Sequence, residues 1–173
     1  MSQEPKVTRY GALPIVDAEL ATKAYVDSGG GSGLTFARII KSVDETINND
    51  ATLHNDLELF FAANANKTYL IWLSCFCTSG TAPDFRSAFS IPAGATGDKM
   101  TATWNGVQDQ ATSDVTVVQT TTMAAGLRLI EFTNRIITAG TAGNINFQWG
   151  QQFSNAGDTT VNQGATLLAW ELE

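Results

Sequence analysis

The chain is poor in the residue types that most often carry chemistry. Among its 173 residues there is one histidine, His54, and there are two cysteines, Cys75 and Cys77. One imidazole and two thiols leave a structural zinc site short of its four ligands. The same scarcity leaves a Ser or Cys nucleophile with a single imidazole to act as its base. Charge is also sparse. There are 17 Asp and Glu against 10 Lys and Arg, a net charge of −7, and charged residues make up only 16% of the chain. No cluster of Lys or Arg occurs, which argues against nucleic acid, whose affinity rests largely on neutralised phosphates. No apolar run approaches the length of a membrane helix, so no membrane insertion is expected. The start, Met-Ser-Gln-Glu-Pro-Lys, lacks the basic and then apolar layout of a secretion signal. The expectation is a soluble protein assembled in a cytoplasm.

What fills the gap is Thr, Asn, Gln, Ser and Gly, beside an apolar fraction of 43% that is ordinary for a globular protein. The length allows one domain and an appendage. Residues 1–16, with Pro5, Gly11 and Pro14, read as an extended arm. Asp17 can cap a short helix over residues 17–28 that places Leu20, Ala21, Ala24 and Tyr25 on one side. Gly29-Gly-Gly-Ser-Gly33 ends that helix and reads as a flexible linker. So short a helix is not stable alone in water and has to pack against something outside itself.

From residue 34 to 173 the chain reads as β structure. Ile145–Phe153 alternates, with Ile145, Phe147, Trp149 and Phe153 on one face, and Thr166–Leu172 sets Thr166, Leu168, Trp170 and Leu172 together. Phe85, Phe89 and Ile91 share a face over Asp84–Ile91. Further strands are expected at Phe36–Lys41, Leu57–Ala62, Thr101–Trp104, Val115–Gln119 and Leu127–Thr138. Turn chemistry separates them, including Pro92–Gly97, Asn105-Gly106, Ala139–Gly143 and Asn155–Asp158. The expected fold is all-β, an antiparallel β-sandwich or jelly roll carrying the N-terminal arm and helix.

Tyr69–Cys77 is apolar on both faces, with Tyr69, Ile71 and Leu73 on one and Leu70, Trp72 and Phe76 on the other. A strand in an isolated sandwich shows one face to water and should alternate. Cover by the N-terminal helix, by a second subunit, or by long loops of the same domain would each account for it. Tyr69, Ile71 and Leu73 are the expected subunit-interface residues. Cys75 and Cys77, one residue apart, point to the same side, where a bridge would distort the pleat; buried reduced thiols are expected.

Other candidates carry little chemistry. His54 falls in a polar stretch, Asn49–Asp56, and reads as a solvated loop residue. Asp44 with Glu45, or Asp56 with Glu58, could flank a glycosidic bond only if folding converged them. The Gly29–Gly33 run follows a helix instead of opening one and lacks the lysine of a phosphate loop. Asp109, Asp114 and Asp158 match no calcium-loop signature. Trp104, at the entrance to a turn, could stack on a sugar or simply close the end of the sandwich. No catalytic residue, metal or cofactor is expected.

Ala21-Thr-Lys-Ala-Tyr-Val-Asp27 resembles a peptide that recurs in tail fibres, head fibres and related virion proteins of tailed bacteriophages. The closing segment Thr138–Leu172, with its Gly-rich turn, Gln148-Trp-Gly-Gln151 strand and Ser154-Asn155 loop, is similar to the end of many phage structural proteins. The overall order resembles jelly-roll domains of the tumour-necrosis-factor and complement-C1q type. The resemblance implies a homotrimer placed in the virion and attached to the major capsid protein or other virion proteins through its N-terminal segment, with Leu20, Ala21, Ala24 and Tyr25 as attachment or trimerisation residues. Lacking a long repetitive shaft, the chain fits a capsid decoration protein or short head fibre better than a tail fibre. A tail-tip receptor-binding component, and a carbohydrate-binding module meeting a host-surface glycan at Trp104, are the alternatives.

Overall fold

The computed structural model describes residues 35–80, 85–104, 107–109, 114–116, 118–121 and 126–172. The expected helix over 17–28, the linker 29–33 and the residues Leu20, Ala21, Ala24 and Tyr25 lie outside them, as does the turn at Asn105-Gly106. The chain divides into two units, Met1–Leu34 and Thr35–Glu173, and every described residue belongs to the second.

Among the described residues every regular element is a strand. In chain order these are β1 (Phe36–Ile40), β2 (Glu45–Ile47), β3 (His54–Ala63), β4 (Thr68–Ser79), β5 (Phe85–Ser90), β6 (Thr96–Trp104), β7 (Val107–Asp109), β8 (Gln119–Thr121), β9 (Gly126–Ile137), β10 (Gly143–Gln151), β11 (Thr159–Val161) and β12 (Thr166–Leu172). They form two antiparallel sheets. The large one runs β1-β12-β4-β9-β6-β7, with β11 bridging β4 and β2; the small one runs β3-β10-β5-β8. Strands adjacent in sequence, β3 and β4, β4 and β5, β8 and β9, β9 and β10, lie in opposite sheets. That crossing between layers is jelly-roll connectivity.

Alternation explains the core. Leu59, Phe61, Phe85, Phe89, Ile145, Phe147 and Trp149 face inward from the small sheet, and Ile71, Leu73, Ile130, Phe132, Ile136 and Leu167 from the large one. Each such side chain contributes roughly 1.5–3 kcal/mol when fully buried. Phe132 and Phe147 meet across the two layers with ring centroids 6.0 Å apart, and Phe85 stacks on Trp149 at 6.1 Å. Gly150 lacks a side chain for a spatial reason: a Cβ there would lie 2.3 Å from the Thr52 carbonyl oxygen.

The structure revises several sequence expectations. Tyr69, Ile71 and Leu73 are buried in the core of the single chain, facing the small sheet, and are not a subunit interface. The other face of β4, with Leu70, Trp72 and Phe76, is the one left partly open. β10 stops at Gln151, so Gln151 occupies the inward position and Phe153 lies beyond the strand, 60% exposed. Gln151 donates to the Gly157 carbonyl at 2.6 Å and accepts from the Asn155 amide at 3.1 Å, which turns the chain there. Val115 is buried beside an isolated bridge between Asp98 and Asp114, and among the described residues of the strand expected at Val115–Gln119 only Gln119 is in a strand, β8. His54 opens β3 instead of sitting in a loop.

Candidate functional site

The most concentrated polar chemistry lies inside one end of the sandwich. Between the paired positions Phe60↔Asn146 and Asn55↔Gln148, five steps along β3 match two along β10. The surplus residues form a bulge, whose backbone N–H groups fall off the ladder and need other acceptors. Carboxylates supply them. Asp56 Oδ1 accepts from the amides of Glu58 (3.0 Å) and Leu59 (2.9 Å), and Glu45 Oε2 from that of Leu57 (3.1 Å). Lys41, whose side chain is fully buried, neutralises both, lying 2.9 and 3.0 Å from the two Asp56 oxygens and 2.8 Å from Glu45. The Trp149 indole donates to Asp56 Oδ2 at 3.1 Å. Burial works against the Lys41 ammonium, but hydrogen bonds and charge from Glu45 and Asp56 outweigh it and raise its pKa above the ordinary lysine value.

This cluster is structural. Both Asp56 oxygens are occupied by donors from within the chain. Glu58 is spent on Ser42, accepting from its amide at 2.6 Å and its hydroxyl at 3.1 Å, which holds its pKa below the usual range. Asp44 accepts from the Gln163 amide at 2.7 Å. The two carboxylate pairs of the sequence are thus divided among separate backbone and cation partners.

The remaining candidates are dispersed. His54 Nε2 lies 2.8 Å from Asp50, whose carboxyl is pulled down to about 2 by its bonds from Thr52 and then by His54. No nucleophilic side chain is hydrogen-bonded to His54 among the described residues. Cys75 and Cys77 are unbridged and fully buried, with sulfurs 2.9 Å apart, and burial raises the Cys77 thiol well above its usual value. No group of three metal-ligating side chains occurs among the described residues. The Trp104 reading turns on a side chain outside those described. A shallow cleft between Phe61, Tyr69 and Glu171 closes on itself: Tyr69 donates to Glu171 at 2.9 Å and accepts from the Asn64 amide at 2.8 Å. Lys67 also pairs with Glu171 at 2.8 Å.

The outer face of the large sheet is the more unusual surface. Its cross-strand rows follow from the register: Leu172–Thr68–Ile137, Phe36–Trp170–Leu70–Arg135, Arg38–Leu168–Trp72–Thr133, Ile40–Thr166–Ser74–Glu131 and Phe76–Leu129. Phe36 and Trp170 are in ring contact at 5.4 Å, yet Phe36 remains 48% exposed. Ile40, Ile137, Leu127 and Leu129 are exposed on the same face, and Leu70, Trp72, Phe76, Leu168 and Trp170 are only partly covered. Arg135 pairs with Asp98 at one side. A contiguous apolar patch of this kind marks an interaction surface far more often than scattered apolar residues do. Its one signal in the sequence is the doubly apolar β4, which points to a contact without saying which face makes it.

No family model matches the chain, and no curated protein matches it in sequence. Among solved structures it is similar to Eiger TNF from S. frugiperda, at 8% identity over 81% of this chain and 93% of that one, with a TM-score of 0.44. Structures of two strains of infectious bursal disease virus are more distant. The Gt strain gives 9% identity, 80% and 37% coverage and a TM-score of 0.27; the Gx strain gives 8%, 80%, 36% and 0.24. At these scores the strand order and register carry the fold assignment.

Proposed function

We propose that the protein is a non-enzymatic, homotrimeric structural protein of a bacteriophage virion, a capsid decoration protein or short head fibre attached through its N-terminal segment. The apolar outer face of the large sheet carries the assembly part of this reading. A closed threefold ring is heterologous, so each copy must offer two different, complementary patches. Arg38 on the β1 side and Glu131 on the β9 side fit that need. They carry opposite charges on the same face, and neither makes an ion pair among the described residues.

The virion part is supported by the resemblance of Ala21–Asp27 to the phage peptide; on this reading Leu20, Ala21, Ala24 and Tyr25 make the attachment and the protein is assembled in the host cytoplasm. Adding the purified full chain to particles that lack it, followed by immunogold labelling, tests this. Label on heads, lost in a Leu20→Asp, Tyr25→Asp variant that keeps its strand spectrum, is the expected result. Label on tails would transfer the protein to the tail-tip class, and label on neither would refute the virion reading.

A further inference from the structure

The outer face of the small sheet has a different chemistry. Its cross-strand rows are Phe60–Asn146–Ser90, Asn55–Gln148–Ala88 and Gly150–Arg86–Thr120. The polar groups are neutral amides and hydroxyls, fixed by bonds from Asn146 Nδ2 to Ser90 Oγ (2.8 Å) and from Gln148 Nε2 to Asn55 Oδ1 (2.9 Å). A side-chain amide offers two N–H donors and a carbonyl with two lone pairs, so these bonds hold each group in place and leave most of its capacity free. Arg86 is the one charged residue in the rows. Among the described residues its guanidinium makes no ion pair and no hydrogen bond, and its Nε is out of reach of water without a partner. Beside this fixed amide array, Arg86 is a cation with no carboxylate partner among the described residues.

Ala88 is buried, so the open positions are Asn55, Phe60, Asn146, Gln148, Ser90 and Arg86; the Thr52 carbonyl sits over Gly150, where a Cβ would come within 2.3 Å of it, and closes that end of the face. Asp50, on the same segment, has its carboxylate engaged by the Thr52 amide at 2.7 Å and by His54. Polar positions recur about every 4.8 Å across the strands and about 6.8 Å along them, spacings on the scale of one or two sugar rings.

We propose that this face binds an acidic saccharide. Arg86 takes the sugar carboxylate through its two terminal Nη groups, its Nε being closed to solvent. Asn55, Asn146 and Gln148 exchange hydrogen bonds with ring hydroxyls, which, like amides, both donate and accept. Phe60, 39% exposed, covers an apolar sugar face. A neutral sugar would leave Arg86 unmatched, and a simple anion would leave the amides unused. The site lies on the sheet opposite the apolar face, so it stands or falls apart from assembly.

An NMR titration of the full chain with trigalacturonate and with sialyllactose, run beside maltotriose and inorganic phosphate, tests it. Shifts centred on Arg86, Asn146 and Gln148 are expected with at least one acidic saccharide, at about tenfold tighter binding than maltotriose. Arg86→Gln should remove that preference, and Gln148→Ala should weaken binding severalfold while resonances elsewhere stay in place. Three results would each overturn the proposal: no shift on this face with either acidic saccharide, equal binding of maltotriose, or phosphate alone reproducing shifts that Gln148→Ala leaves untouched.

Discussion

The outer faces of the two sheets share one sandwich and one backbone geometry, yet they are written in opposite alphabets. On the large sheet the outward positions of β4 and β12 are Leu70, Trp72, Phe76, Leu168 and Trp170; on the small sheet those of β10 are Asn146, Gln148 and Gly150. Strand propensity cannot account for the difference, because asparagine is depleted and tryptophan enriched in strands of any sheet. What differs is the next layer. A face that meets only water or a polar ligand tolerates amides, whereas a face rich in tryptophan and leucine gains free energy only when another surface covers it.

Four experiments break or sharpen this contrast, in falling order of effect. Replacing Trp72 by Glu should abolish assembly, since a charge at the centre of the apolar face must be desolvated unpaired. Gln148→Glu on the opposite face should leave the assembled mass unchanged. Light scattering on the two variants reads both, with far-UV circular dichroism to confirm that each retains its strands.

Damage to the interior should act on stability and not on the choice of face. Asp56→Ala leaves the buried Lys41 ammonium with Glu45 alone and strands the Trp149 indole and two bulge amides. Loss of one partner of a buried ion pair costs about 3–5 kcal/mol. Urea unfolding should show a loss of that size, and a smaller one for Lys41→Met with Asp56→Leu.

Alkaline pH should probe the same interior. Lys41, Tyr69 and Cys77 all have pKa values raised by the fold. Each therefore binds its proton more tightly when folded, and the associated stability is complete below the unfolded pKa values and lost as pH rises through the folded ones. With unfolded values near 8.5 for Cys and about 10 for Tyr and Lys, the melting temperature should begin to fall from about pH 9. A melting temperature that stays level to pH 11 would contradict the assignment.

The smallest effect concerns the charges on the apolar face. Arg38→Glu should weaken assembly by roughly 0.2–1 kcal/mol per contact, as for a solvent-accessible ion pair. Glu131→Arg in the same chain should restore it, which sedimentation equilibrium can resolve.

How much of this was legible in the sequence follows the same contrast. Ile145, Phe147 and Trp149 can be read as inward-facing from the sequence because the residues between them, Asn146 and Gln148, are polar and mark the outside. On β4 the marker is missing. Both alternate sets are apolar, so period two gives two faces without saying which is inside; the fold turns Tyr69, Ile71 and Leu73 inward. The apolar alternation runs on to Phe153, past the end of β10, while the turn is set by the Gln151 amide bonding forward to Asn155 and Gly157. The Lys41–Asp56 pair left no sequence signal. Its partners are 15 residues apart, joined by a bulge that no local pattern announces. The amide array around Arg86 was hidden in the same way, because it is assembled across three strands from residues that look merely solvated one at a time.

The central claim is that copies of this chain meet through the apolar outer face of the large sheet. Multi-angle light scattering of the intact wild-type chain across a hundredfold range of micromolar concentration tests it most directly. The account predicts a constant mass of three times the 18.5 kDa chain, with hydrogen exchange slowed at Leu70 and Leu168 relative to Trp72→Glu. A single-chain mass throughout, or a trimer whose Leu70 and Leu168 amides exchange as fast as in that variant, would contradict it.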